Sequence, residues 1–306
     1  MDKELIEKVL LAHVDEQRRS RRWANMWRAA TVMLILVAIV FSYAGGGASV
    51  SHPTSRHTAL IEVSGTIDSE GDASADIING SLREAFANSH AAGVILRINS
   101  PGGSPVQSGI VFDEIRRLKK EHADKPVIAV VEDIAASGGY YVAVAADAIY
   151  VDKASLLGSI GVRMDGFGFT EAMRKVGVER RLLTAGENKA MLDPFMPVDP
   201  KQRQMVQRML DEVHQQFIEA VRQGRGDKLR PSPDIFSGMV WTGARSVELG
   251  LADGLGSVDS VARDVIKAEQ VVDYTLQPSL ADRLTRRFGA AAGDAIARAM
   301  TRWSLQ

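Results

Sequence analysis

Apolar residues recur along the chain in three rhythms. From Trp27 to Ala44 the run WRAATVMLILVAIVFSYA is apolar almost throughout, with Arg28 its only charge, at the edge. The 16 uncharged residues from Ala29 to Ala44 fall slightly short of the ~20 that span a bilayer as a helix. Trp23, Trp27 and Tyr43 are amphipathic enough to sit at the interfaces and lengthen the span. From Thr58 the rhythm changes. TALIEVSG (Thr58–Gly65), GVILRINS (Gly93–Ser100), PVIAVVED (Pro126–Asp133) and AIYVD (Ala148–Asp152) are short apolar runs typical of strands buried on both faces. Helical spacing alternates with them. Ser104 and Pro105 form an N-cap and first-turn proline. Val106, Ile110, Phe112, Ile115 and Leu118 then fall near one face. A longer helix is predicted from Asp199 to about Gln223, with Met205, Met209, Val213, Phe217 and Val221 at helical spacing and its methionines in the core. Alternating strands and helices predict an α/β domain with a mostly parallel sheet of βαβ units, over 58–272. No internal repeat is evident. A C-terminal amphipathic helical extension (273–306) follows. Its Leu280–Trp303 part carries Arg283, Arg286, Arg287, Arg298 and Arg302. Such a helix packs on its own domain or on a neighbouring subunit, or lies on a membrane surface.

Charge orients the apolar segment. Arg18, Arg19, Arg21, Arg22 and Arg28 precede it with no acidic residue among them, whereas Gly45 to Leu60 carries only Arg56. The positive-inside rule places an N-terminal arm (1–26) in the cytoplasm and the bulk of the chain outside. A cleaved secretory signal and a buried soluble helix are the alternatives, but a signal's apolar region is usually shorter and follows a brief basic start; here 28 residues precede Ala29. The reading is a retained transmembrane signal anchor at 27–44, then a flexible linker at 45–57 that includes GGGASVSHPTS.

Composition narrows the chemistry. With 37 basic and 38 acidic residues the net charge is −1, which gives no footprint for nucleic acid. The absence of cysteine excludes disulfides, thiolate metal sites and a cysteine nucleophile. No P-loop, GxGxxG after a strand or HExxH is present, so no cofactor and no metal is implied.

Two glycine-rich junctions remain, each after a predicted strand. In INSPGGSP (Ile98–Pro105), Asn99, Pro101, Gly102 and Gly103 make a tight turn into a helix. Glycine there lets backbone N–H groups point inward, a nest suited to developing negative charge; read alone, it could equally be a plain strand–helix turn. In DIAASGGYYVAVAAD (Asp133–Asp147), Ser137 stands between a strand and a small-residue helix. This is close to a nucleophile elbow with Ala135 in place of the first glycine. The N–H of Gly138 would serve the same oxyanion; read alone, Ser137 could equally be an N-cap.

NSPGG in combination with ASGGYY resembles the signal peptide peptidase A family, membrane-bound serine peptidases of the ClpP/crotonase superfamily. The likeness continues through LLGSIGV (Leu156–Val162), GENKA around Lys189 and VWTGARSVELGLADGLGS (Val240–Ser257), and covers roughly Ala59 to Val271. The length is that of the short, single-copy form. The resemblance implies a ClpP/crotonase-like fold, Ser137 as nucleophile, Lys189 as general base, Ser159 as the residue orienting that lysine, and Gly103, Gly138 and Gly102 as the oxyanion hole. ClpP relatives keep a histidine roughly 25 residues after the serine, where this chain has LLGSIGV and none. A lysine works as base only where burial lowers its pKa; Met191, Leu192 and Phe195 could bury it, while Glu187 would oppose the effect. The implied activity is cleavage of remnant signal peptides and other apolar peptides at the outer face of a bacterial inner membrane. The implied assembly is a homo-oligomeric ring in which Ser137 of one subunit meets Lys189 of the next. A crotonase-type acyl-CoA enzyme and a catalytically inactive, peptide-binding scaffold are the rival classes.

Overall fold

In the computed structural model the described residues are Arg18, 20–37 and 54–277. The expected cytoplasmic arm up to 17, the anchor beyond 37, the linker up to 53 and the C-terminal extension from 278 lie outside them. Residues 20–37 are helical. No helix among the described residues is long and apolar enough to cross a membrane.

Residues 54–277 lie within one compact unit. Its frame is β1 (His57–Ile67), β2 (Ala91–Gly103) and β3 (Val127–Ala136), paired in parallel in the order β3-β2-β1. Parallel pairing requires crossovers, and α1 (Ala75–Ala87) and α2 (Pro105–Glu121) supply them. After β3 come the six-residue helix α3 (Gly138–Ala143), β4 (Ala148–Val151), β5 (Leu156–Gly158), α4 (Thr170–Lys175) and the long α5 (Pro200–Arg225). Short pieces close the sheet: β6 (Val240–Thr242), α6 (Gly243–Glu248), β7 (Gly254–Leu255), α7 (Val258–Val261) and β8 (Val271–Asp273). β5 pairs with β6 antiparallel at one edge, and β8 pairs with β1 in parallel at the other. The predicted strand cores and the parallel sheet are therefore present, each of the first three strands extending beyond its apolar run.

Alternation along the strands divides the core. Ala59, Ile61 and Val63 of β1 join Leu96, Ile98, Val127 and Val131 under the helices of one face. Leu60, Ile95, Ile128 and Val130 meet Val261, Ala262 and Ile266 on the other. The helix starts follow the sequence: Ser104 accepts from Gln107 N, and Asp199 from Lys201 N, each followed by proline. Two predicted faces are only partly buried. On α2, Phe112, Ile115 and Leu118 are buried, but Val106 is 67% and Ile110 45% exposed. On α5, Met209 is 54% exposed and Met205 half-buried, so these methionines are not core. Burial in α5 is concentrated at Phe217, Ile218, Ala220 and Val221. Helical period marks an apolar face; in the first half of α5 only Val206 is buried, so the rest of the domain covers little of that face.

The end of α5 is pinned by charge. Arg225, almost fully buried, donates from Nη1 to Asp253 Oδ2 at 2.6 Å and from Nε to Gly250 O at 2.9 Å. Lys228 Nζ reaches Asp253 Oδ1 at 2.8 Å, and Ile149 N of β4 donates to Oδ2 at 2.8 Å. Burial pushes the Asp253 carboxyl up, but the bonds from Arg225, Lys228 and Ile149 outweigh it and hold the group below its ordinary value. The carboxylate therefore stabilises the fold above the ordinary carboxyl range, and this stabilisation is lost as pH falls through the lowered folded-state value. Asp253→Ala leaves Arg225 buried without its partner and should cost about 3–5 kcal/mol. Melting scans should place the variant about 10 °C below wild type at pH 7, with the gap narrowing as pH falls; equal melting at pH 7 would refute the role.

Candidate active site

β2 and β3 lie side by side, so their C-terminal ends deliver both glycine junctions to one place, the usual position for sites in open α/β sheets. Ser100 is opposite Ala135, and Ala136 is opposite Gly158 of β5. At the tip of β3, Ser137 has φ 50° and ψ −122°, a conformation that costs a non-glycine residue about 1–3 kcal/mol. Its N–H donates to Gly158 O at 2.8 Å. Its side chain makes no capping bond to α3, so the N-cap alternative is not the role it has. The half-buried hydroxyl stands at the start of α3 without a protein partner among the described residues.

The glycines around it are fixed by close approach. Gly102 has φ +101°, and a Cβ there would lie 2.6 Å from Gly138 N and 2.8 Å from Ser137 Cβ. A Cβ on Gly103 (φ +152°) would collide with the Ile67 carbonyl. One on Gly138 would collide with Ser108 Oγ and stand 3.2 Å from Gly103 N. The backbones of Gly102, Gly103 and Gly138 are thus packed together beside Ser137. Gly138 is the first residue of α3, where backbone N–H groups have no intrahelical partner. Gly102 N, by contrast, already donates to Ser100 Oγ at 3.2 Å. Gly102 N is therefore engaged within the turn, and Gly103 N and Gly138 N lie at the close approach between the two junctions.

Ser159 follows the glycine that binds Ser137. Its φ is +52° and its N–H donates to Met239 O at 2.7 Å, tying β5 to the approach of β6. Lys189 is held differently. Residues 161–199 form an arm in which no residue is buried. The arm folds on itself: Phe169 N donates to Pro194 O at 2.7 Å, Phe169 stacks on Phe195, and Arg180 pairs with Asp193. Lys189 sits on a turn of this arm, exposed, with no side-chain bond to Ser137, Ser159 or Glu187 among the described residues. The expected burial by Met191, Leu192 and Phe195 does not occur within the single chain, because Leu192 and Phe195 are themselves exposed.

Among the described residues no histidine is hydrogen-bonded to Ser137. His57 is buried between Ser55 O and the Tyr274 hydroxyl. His214, remote in sequence, lies near the site, but its Nε2 is bound to Ile160 O at 3.0 Å. Two further hydroxyls near the glycines escape the sequence pattern. Ser100 and Ser108 are fully buried, and their only trace in the sequence is a small polar residue within an otherwise apolar strand or helix face.

The 8-stranded, mostly parallel sheet fits a ClpP-like fold. Among similar proteins, Na(+)/H(+) antiporter NhaA of Brucella abortus (strain 2308) is 49% identical over 184 residues, 60% of this chain and 25% of that protein. Protease 4 of Haemophilus influenzae is 34% identical over 228 residues, 73% of this chain and 36% of that protein. Chloroplastic serine protease SPPA of Arabidopsis thaliana is 30% identical over 220 residues, 71% of this chain and 32% of that protein. The chain thus spans between a quarter and about a third of the length of these relatives. The family model for peptidase family S49 matches residues 119–272, just over half of the chain and the region that holds both Ser137 and Lys189, and the chain belongs to that family.

Proposed function

We propose that this chain is a membrane-anchored serine endopeptidase with a Ser137/Lys189 dyad. It cleaves remnant signal peptides and other apolar peptides at the outer face of the cytoplasmic membrane. The observation that carries the reading is the strained, unbonded Ser137 beside the Gly103 and Gly138 backbone. Ser137 Oγ attacks the peptide carbonyl while Lys189 Nζ takes its proton. The two glycine N–H groups hold the oxyanion, a contribution of about 3 kcal/mol for each such donor. Lys189 returns the proton to the leaving amine, and water then cleaves the acyl-enzyme.

A lysine is present as the neutral base near pH 7 only when its surroundings disfavour the charged form, as removal from water does, and Lys189 is exposed in the single chain. The arm that carries it also exposes Phe167, Phe169, Val176, Leu183 and Met196, with Leu183 98% exposed. A surface of this kind calls for a partner. A ring in which each arm reaches the neighbouring subunit's Ser137 buries these residues and the lysine together. An apolar substrate and an anchor at 27–44 place the reaction beside the bilayer. An acyl-CoA enzyme has no use for a nucleophilic serine, and an inactive scaffold has no need to maintain its strained turn.

Fluorophosphonate labelling of the full-length protein in detergent tests the reading. The expected result is one adduct, at Ser137, absent from Ser137→Ala. A folded protein that stays unlabelled would exclude the nucleophile and favour the rivals.

A further inference from the structure

At the end of β2 the ladder breaks on both sides. Against β1, Ser64 pairs with Asn99 but Thr66 with Gly102, so Ser100 and Pro101 stand opposite Gly65 alone. Against β3, Ile98 pairs with Val131 but Ser100 with Ala135. A bulge of this kind bends the strand and leaves backbone groups without their ladder partners. Here a side chain replaces them. Ser100, fully buried, donates from Oγ to Gly65 O at 2.6 Å and accepts from Gly102 N at 3.2 Å. The backbone of the same residue supports α3, since a Cβ on Gly139 would stand 2.7 Å from Ser100 O. The hydroxyl therefore bridges the end of β1 and the glycine turn, while the carbonyl of the same residue backs the helix behind Ser137.

We propose that Ser100 is a positioning residue: its buried hydroxyl holds the Gly102–Gly103 turn in the conformation that presents the Gly103 N–H beside Ser137. Both glycines occupy positive φ, where the glycine backbone has many alternatives close in energy. The Ser100 bond to Gly102 N selects one of them. Its bond to Gly65 O anchors that choice to the sheet. The inference rests on the serine-peptidase reading for its kinetic consequence, though not for the backbone contact itself.

The test compares full-length wild type with Ser100→Ala, using a chromogenic apolar peptide, a peptide boronate and backbone amide exchange. Displacing an oxyanion donor by a fraction of its bond length should lower kcat per fluorophosphonate-titrated site by about a hundredfold. KM should change little, and boronate affinity should fall in proportion to kcat/KM. The Gly102 amide should exchange faster in the variant than in wild type. If Ser100→Ala does not fold, Ser100→Cys, which keeps the shape but weakens the bonds, takes the same measurements with effects in the same direction. A kcat per site within threefold of wild type, with unchanged Gly102 exchange, overturns the proposal. If wild type itself is not labelled at Ser137, the peptidase reading fails. The exchange comparison then decides separately whether Ser100 holds the turn.

Discussion

Mixing Ser137→Ala subunits with Lys189→Ala subunits should restore peptide hydrolysis that neither variant has alone. Each substitution removes one half of a unit that acts together, so each should lower kcat by at least about a thousandfold, and the double variant should be no worse. The recovery follows from where Lys189 lies. It has no bond to Ser137 within the chain, and it rides on an arm without a buried residue. In a head-to-tail ring an interface is productive when the intact serine of one subunit faces the intact lysine of the next. Random exchange of equal amounts makes about a quarter of the interfaces productive, so about a quarter of wild-type activity should return. A mixture that stays inactive despite proven subunit exchange would place the dyad within one chain. His214, already bonded to Ile160 O, is the control: His214→Ala should retain activity, and its loss would reopen the choice of base.

Gly102→Ala should abolish most activity while leaving a folded protein. The added Cβ would lie 2.6 Å from Gly138 N, 2.8 Å from Ala136 O and 2.8 Å from Ser137 Cβ. None of these neighbours is the far end of a flexible side chain, so the backbone itself must shift, and φ +101° adds strain for any residue with a Cβ. The methyl group crowds the space in which an oxyanion would form. The expected loss is about 10²–10³-fold in kcat, the effect of removing one oxyanion donor, with a stability cost of about 1–3 kcal/mol from the strained turn. Gly109→Ala gives the contrast, because nothing lies within 4 Å of its Cβ. In the interior of α2 that change should stabilise by about 0.5–1 kcal/mol and leave kcat unchanged. Kinetics and melting of the two variants together separate occlusion of the site from general damage to the fold. Equal activity in Gly102→Ala and wild type would remove the glycine turn from the reaction.

The sequence by itself determined what depends on local pattern. Short continuous apolar runs located the cores of β1 to β4, because buried strands must be apolar wherever they meet either face of the sheet. Ser104 marked a helix start through its capping chemistry. The glycine pairs marked the two turns, because only glycine tolerates such close backbone approach. The tertiary structure decided what depends on partners distant in the chain. The apolar face of α2 begins with exposed Val106, and that of α5 includes exposed Met209. Period specifies a face but not what covers it. Strands of two or three residues, such as β6, β7 and β8, are too short to carry a period and exist because a sheet edge is there to pair with. Ser100 looks like any serine before a proline. Its hydroxyl gained a role only when the bulge in β2 left Gly65 O and Gly102 N facing it. Lys189 is the limiting case: the chain alone leaves it in water, because the desolvation that would make it a base depends on surfaces its own fold does not bring to it.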